Sequence, residues 1–418
     1  MLNDEIIDRL NDRLIERLEE GNRYVLQEIG KKIVQIKSLS PTEAQKLANI
    51  LKYGGDYEKI ANKLSKITKI NKKDIYKIFE AVAKKDYMFA KQFYDYRNIK
   101  FIPYEQNIEL KRLVDSIANT TTNEYINLAG SKNIGLGIYN EKTKRVEFKV
   151  LKEAYNKLID EAILNVSTGK ETFDTMMKKT LNEVDKGLQV YYEHTDEKGN
   201  KKYYKKNVIS AVRQNMTDGL SRLQQEMQKE VGKQFKSDGV EITVVVNPAP
   251  DHAEVQGRQF SNEEFNKFQN DKDSYSYDKK FFPATSEETG HDRRSIGQYN
   301  CRHLIYSIIL GVNMPQYSDK KLKEIIDNNN KGFEYDGKHY TKYEGSQMQR
   351  RLENEIRKNK LAQISARARD SIDEVDESQR KIRVLTNKYK SLCEAGDYTP
   401  RNELLRVSGY KRIKTSKR

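Results

Sequence analysis

The sequence predicts an α+β protein that is predominantly helical, with a small central domain of hairpins and short strands. Three observations predict it. Apolar residues recur at helical spacing through the first 125 residues and again beyond residue 343. A β-branched run, Val240–Val246, reads as a buried strand closed by Asn247-Pro248. One polar, loop-rich stretch, 247–315, collects four of the seven prolines, three of the five histidines and one of the two cysteines.

In chain order, Leu2, Ile6, Leu10, Leu14 and Leu18 recur every four residues and give one apolar helix stripe. Ser40-Pro41-Thr42-Glu43 has the residues of a capped helix start, and Gly54-Gly55 those of its end. A further helix begins at Asn71 and carries Ile75, Ile78, Phe79 and Val82 on one face. The aromatics that follow (Tyr87, Phe89, Phe93, Tyr94, Tyr96) serve either a core or a docking surface. Helices are expected to continue from 126 to 185 as a connector. The alternating aromatic and polar residues of 190–206, around Glu197-Lys198-Gly199-Asn200, predict a hairpin. A helix follows, with Val208, Val212, Met216, Leu220, Leu223 and Met227 in register.

After the Val240–Val246 strand, Pro248 and Pro250 make a rigid turn, and Leu304 to Leu310 is expected to be an apolar helix opened by Asn300. EYDGKHY, 334–340, predicts a second hairpin with Asp336-Gly337 at its turn. From Tyr343 to about Lys390 the chain is highly charged, with a narrow seam of Met348, Leu352, Ile356, Leu361 and Ile364, the mark of long solvent-washed helices. The expected organisation is therefore helical at 1–125, a helical connector at 126–185 and a central α+β domain at 186–318. A hairpin linker at 319–342, long charged helices at 343–395 and a basic tail at 396–418 complete it.

The 418 residues are 33% charged and 36% hydrophobic, lack tryptophan and carry a net charge of +15; mean hydropathy is −0.90. Such a surface either meets polyanions or is simply a solvated lysine-rich surface. Residues 341–418 hold 20 Lys and Arg against 11 Asp and Glu. The basic end, Lys411, Arg412, Lys414, Lys417 and Arg418, either binds nucleic acid or solubilises the chain. Two cysteines imply no disulfide framework and suit a reducing cytoplasm. No apolar run reaches the ~18 residues that a membrane span needs, and the acidic first residues do not make a signal peptide.

The chemistry-bearing residues are Asp251, His252, Gln256, Gly257 and Arg258 on one side of the polar stretch, and Asn300, Cys301, Arg302 and His303 on the other. Three readings stay open. Asp251 or His252, with Cys301 and His303, are zinc-ligand types, but they lack the regular spacing of a zinc motif. Cys301 with His252 has the types of a thiol nucleophile and its base, although nothing supplies an oxyanion hole. On a helix His303 would face away from Cys301. The third reading is a polar network, with Asn300 as a helix cap, His252 and Arg258 on backbone carbonyls, and Gly257 in a tight turn. No catalytic constellation and no cofactor is expected, although His252, Cys301 and His303 are of types that bind zinc. No Walker lysine, phosphate-cradling glycine loop or HExxH motif occurs.

PAPDHAEVQGRQFS at 248–261, GQYNCRHLIYSIILGV at 297–312 and YTKYEGSQMQRRLENEIRKNK at 340–360, in this order, resemble the minor capsid protein type 2 family of tailed phages and prophages. The likeness extends upstream to the 190–206 hairpin and VRQNMTDGL. The sequence departs from the family pattern in a polar insert, 270–292. The resemblance implies a low-copy virion component near the portal, assembled in the host cytoplasm and similar in role to the Mu F-like head-morphogenesis proteins. Its implied partners are the portal protein, docked through the helical N-terminal region, other head proteins, and double-stranded DNA bound without sequence preference. The alternative is a virion-carried enzyme or effector with a metal or Cys-His site at 251–303.

Overall fold

The computed structural model describes residues 4–37, 56–69, 72–129, 133–140, 142–168, 181, 184, 186–195, 201–270, 275–277, 280–282, 295–297 and 301–411. The Ser40 cap, the Gly54-Gly55 helix end and Leu2 lie outside these residues, as do Asn300, Arg412, Lys414, Lys417 and Arg418.

Helices dominate the N-terminal part: α1 (Asp4–Lys37), α2 (Asp56–Thr68), α3 (Lys72–Tyr96) and α4 (Ile108–Ala129). Their apolar stripes meet in one core that includes Leu18, Val25, Ile29, Phe79 and Val114, each at most 1% exposed. The aromatic run of α3 splits between two fates. Tyr87, Phe93 and Tyr94 are buried, and the Tyr87 hydroxyl donates to the Ile102 carbonyl. Met88, Phe89 and Tyr96 stay exposed along one stripe of the helix.

The expected helical connector begins with strands. β1 (Ile134–Asn140) and β2 (Arg145–Val150) form an antiparallel hairpin before α5 (Leu151–Thr168). The glycines of the 134–140 run obscured its period-2 pattern, because Gly135 and Gly137 carry no side chain to alternate. Gly135 lies directly against the backbone of Lys149. The expected aromatic hairpin follows as β3 (Gln189–Thr195) and β4 (Lys201–Asn207), and the four strands make one antiparallel sheet in the order β2-β1-β3-β4. Asn207 then caps α6 (Val208–Gln234), its side-chain oxygen accepting from the Ile209 amide.

A second, three-stranded sheet packs beside α6, in the order β6-β5-β9. β5 spans Gly239–Ile242, less than the expected seven residues, and is central; β6 (Gln259–Ser261) and β9 (Ile305–Ile308) flank it antiparallel. The expected apolar helix at 304–310 is this β9 strand, preceded by chain without regular secondary structure at Cys301–Leu304. A short, fully apolar run carries no period that separates helix from buried strand. Here pairing to β5 and burial of all four β9 residues decide for the strand.

The free edge of β9 is not left open. Gln224 and Gln228, one turn apart on α6, serve it instead of a further strand. The Gln224 amide donates to the Ile305 carbonyl at 2.5 Å, and its oxygen accepts from the Ile305 amide at 3.3 Å. Gln228 accepts from the Ser307 amide at 3.0 Å. Buried edge-strand backbone is thereby satisfied by a helix.

Between β5 and β9 lie the single turn α7 (Pro250–Ala253), α8 (Asn262–Asn270) and the hairpin β7 (Tyr275–Tyr277) with β8 (Lys280–Phe282), the last inside the polar insert. After β9 come α9 (Asp319–Lys331) and the expected hairpin of β10 (Phe333–Tyr335) and β11 (Lys338–Tyr340). Asp336 and Gly337 have φ of 51° and 72° at its turn, the left-handed pair that fits the strand twist.

The charged C-terminal region is two antiparallel helices, α10 (Lys342–Ala368) and α11 (Ile372–Gly396). Thr341 and Glu344 close a capping box at the start of α10. The break at 369–371 was invisible to a search for glycine and proline. Asp370 takes the left-handed conformation at φ 54°, while the Ser371 amide donates to the Ala366 carbonyl, the bonding of a Schellman stop. Ile356, Leu361 and Ile364 of the predicted seam are buried.

Candidate functional site

Two neighbouring features concentrate the chemistry, a buried His-Cys-His cluster and a basic cleft.

The cluster is built by three short segments. Pro250 starts α7, which holds His252; the following turn brings Gln256 and Gly257, with Gly257 at φ +68°; and the run before β9 presents Cys301 and His303. Because that run is not helical, Cys301 and His303 converge rather than diverge as they would on a helix. The Cys301 Sγ lies 3.4 Å from His252 Nδ1 and 3.3 Å from His303 Nδ1. The two rings meet edge to face, with centroids 5.3 Å apart. All three residues are at most 4% exposed, and one ligand atom from each lies within 4.8 Å of the others.

Gln256 fixes the tautomer of His303. The Val245 amide donates to Gln256 Oε1 at 2.9 Å, which identifies that atom as the oxygen. The same oxygen lies 3.1 Å from His303 Nε2, so Nε2 carries the proton and Nδ1 presents a lone pair to Cys301. His252 Nε2 lies 3.7 Å from the Asp251 carboxylate. Both histidines thus turn Nε2 to an oxygen and Nδ1 to the thiol. Beside them is a cavity of about 220 Å³, walled by Asn247 and by Tyr343, Ser346, Gln347 and Arg350 of α10.

The remaining sequence candidates sit around this centre. Arg258 donates to the Glu254 carbonyl at 2.7 Å and pairs with Asp319 at 3.2 Å. Arg302 lines the cluster cavity and also the larger cleft next to it. Lys411 is exposed at the end of the described chain, with its carbonyl accepting from Arg367.

That cleft, about 350 Å³, draws Lys206 from β4, Arg213 from α6, Arg302, Arg350 and Arg357 of α10, and Arg401 beyond α11. Two carboxylates partly offset these six cations. Arg401 grips Glu353 with two bonds of 2.9 Å, and Arg357 pairs with Glu19 at 2.5 Å. Burial pushes both carboxyls above their usual range, more than the neighbouring arginines pull them down. Burial, then repulsion from Arg302 and Arg401, lowers Arg350, and burial lowers Lys206. A cleft in which cations destabilise one another is suited to an anion. Sequence reading missed it, although Arg350, Glu353 and Arg357 fall at helical spacing on one face.

The sequence profile of a family described as phage minor capsid protein 2 matches residues 2–394. No curated protein sequence matches the chain, and no solved structure does.

Proposed function

Since this chain belongs to the phage minor capsid protein 2 family and is therefore a virion protein, we propose that it acts in head assembly beside the portal, docking on the portal protein and contacting packaged double-stranded DNA. The observation that carries the DNA contact is the basic cleft, where six cations face two carboxylates that are already engaged. Phosphate would relieve the mutual repulsion around Arg350 and release counterions from the DNA. Binding of this kind is strongly salt-dependent and has no sequence preference, because phosphate contacts carry no base information. The sequence carries five further basic residues at 411–418.

Docking on protein is supported by the exposed apolar residues of the N-terminal part. Met88 and Tyr96 of α3, with Ile102 and Ile108 beyond it, are 44–62% exposed. Among the described residues no helix is long and apolar enough to cross a membrane. The partners fitting this surface are other head proteins, the portal first among them.

The test is co-purification with the cognate portal protein at low and high salt, with and without DNA. A complex that survives high salt without DNA supports portal docking through apolar contact. DNA binding should weaken steeply with salt, and Arg350→Ala should lower the log–log salt slope by about one. Absence of any portal complex would sink the docking half of the reading, and an unchanged salt slope would remove the cleft from the DNA contact. A second reading, a virion-carried enzyme or effector, draws on the convergence of His252, Cys301 and His303 beside a cavity. Particles that assemble normally with His252→Ala but fail at DNA delivery would favour it.

A further inference from the structure

The geometry points to a zinc site formed by the Cys301 thiolate, His252 Nδ1 and His303 Nδ1, with its fourth position open to the cavity under α10. It stands apart from the capsid reading, since it rests on the cluster alone.

The first support is distance. Tetrahedral zinc with Zn–S near 2.3 Å and Zn–N near 2.0–2.1 Å sets a sulfur-to-nitrogen edge of about 3.6 Å. The two edges here are 3.4 and 3.3 Å.

Proton bookkeeping is the second. Nε2 of His303 is protonated toward Gln256, so its Nδ1 turns a lone pair to the sulfur, and His252 Nδ1 approaches the same sulfur with its Nε2 3.7 Å from the Asp251 carboxylate. A neutral thiol can donate its single proton to one nitrogen only. A cation satisfies both contacts at once.

The outer contacts are the third. Metal-bound histidines commonly donate their other N–H to a carboxylate or an amide carbonyl, which orients the ring and raises its basicity. Asp251 and Gln256 stand in those places, and the Val245 amide in turn anchors Gln256.

Thiolate with two imidazoles is a ligand set suited to zinc, and the set excludes calcium and magnesium, which take oxygen. Three protein ligands leave the fourth position to water on the side of Tyr343, Ser346 and Arg350. On binding, the thiol proton leaves to solvent and no redox step is involved. The site would staple α7 to the chain entering β9, two segments 49 residues apart.

The test uses the full chain, expressed with zinc supplied and purified without chelator. Mass spectrometry of bound metal should find stoichiometric zinc in the wild type and in Cys393→Ser, and at least tenfold less in Cys301→Ser and His303→Gln. Cobalt-loaded wild type should show a thiolate-to-cobalt charge-transfer band and the intense visible bands of tetrahedral cobalt. That wild-type spectrum decides the matter even where a variant fails to fold. Folded wild type without zinc and without the thiolate band overturns the site, as does full zinc occupancy in folded Cys301→Ser.

Discussion

The protein buries two cysteines, and their surroundings differ in one respect that separates a site from a strut. Cys393 of α11 belongs to a network in which donors and acceptors match. The Gln349 amide reaches Sγ at 3.5 Å and the Thr399 carbonyl at 3.1 Å, Tyr389 donates to Glu353, and Arg401 donates to both Glu353 oxygens. Burial pushes the Cys393 thiol up, which keeps it protonated and inert. Cys301 instead faces the Nδ1 atoms of two imidazoles, and Gln256 holds the His303 proton on the far nitrogen. Equal burial does not mean equal purpose. A polar cluster that balances its own donors and acceptors holds the fold, and one whose metal-ligand atoms converge is shaped for a cation.

This contrast can be broken most forcefully at the C-terminal network. Glu353→Ala removes the carboxylate that Arg401 and Tyr389 share and should cost about 3–5 kcal/mol in chemical denaturation; a loss below 1 kcal/mol would show that the network is dispensable. Zinc should act on the other cluster alone. Free zinc at 100 times its dissociation constant should stabilise wild type and Cys393→Ser by about 2.7 kcal/mol in thermal denaturation, and leave Cys301→Ser unmoved. Equal stabilisation of all three would erase the distinction.

Away from both clusters, Thr341→Ala opens the capping box of α10 and should cost about 1 kcal/mol. The smallest expected effect is a slope. The Glu353 carboxyl titrates above its ordinary 4.5 because burial outweighs Arg401. A carboxyl raised on folding contributes stability that is fully present below that ordinary value and is lost as pH rises through the folded one. The stability of wild type minus that of Glu353→Gln should therefore fall as pH climbs from 4.5. A flat difference would mean that the Arg401 pair fully offsets the burial.

Sequence patterns disclosed the aromatic hairpin, the α6 helix and the Asp336-Gly337 turn, since each carries a periodic or left-handed signal of its own. The errors share a cause. At 134–140 the glycines erase alternation, at 304–310 continuous apolarity has no period, and at Asp370 a left-handed stop is made without glycine. In the first two, pairing with distant chain decided the local state, and at Asp370 a local Schellman stop did so without glycine. The candidate residues of the cluster could be named from their types, but the helix expected at 301–310 aimed His303 away from Cys301. The basic cleft escaped notice because its cations come from five separate segments and meet only once the chain is folded.

The ion pair between Arg357 and Glu19 joins residues 338 positions apart, and Leu361 and Ile364 share a core with Leu18 and Ile29. A ribosome adding ~5–20 residues per second would finish α10 roughly 17–70 s after α1 emerges. For that interval the buried face of α1 that receives α10 waits without its cover. During synthesis that face of the first helix is therefore exposed, and a truncation before residue 342 would leave it uncovered while α2, α5 and α6 still cover the rest of the stripe.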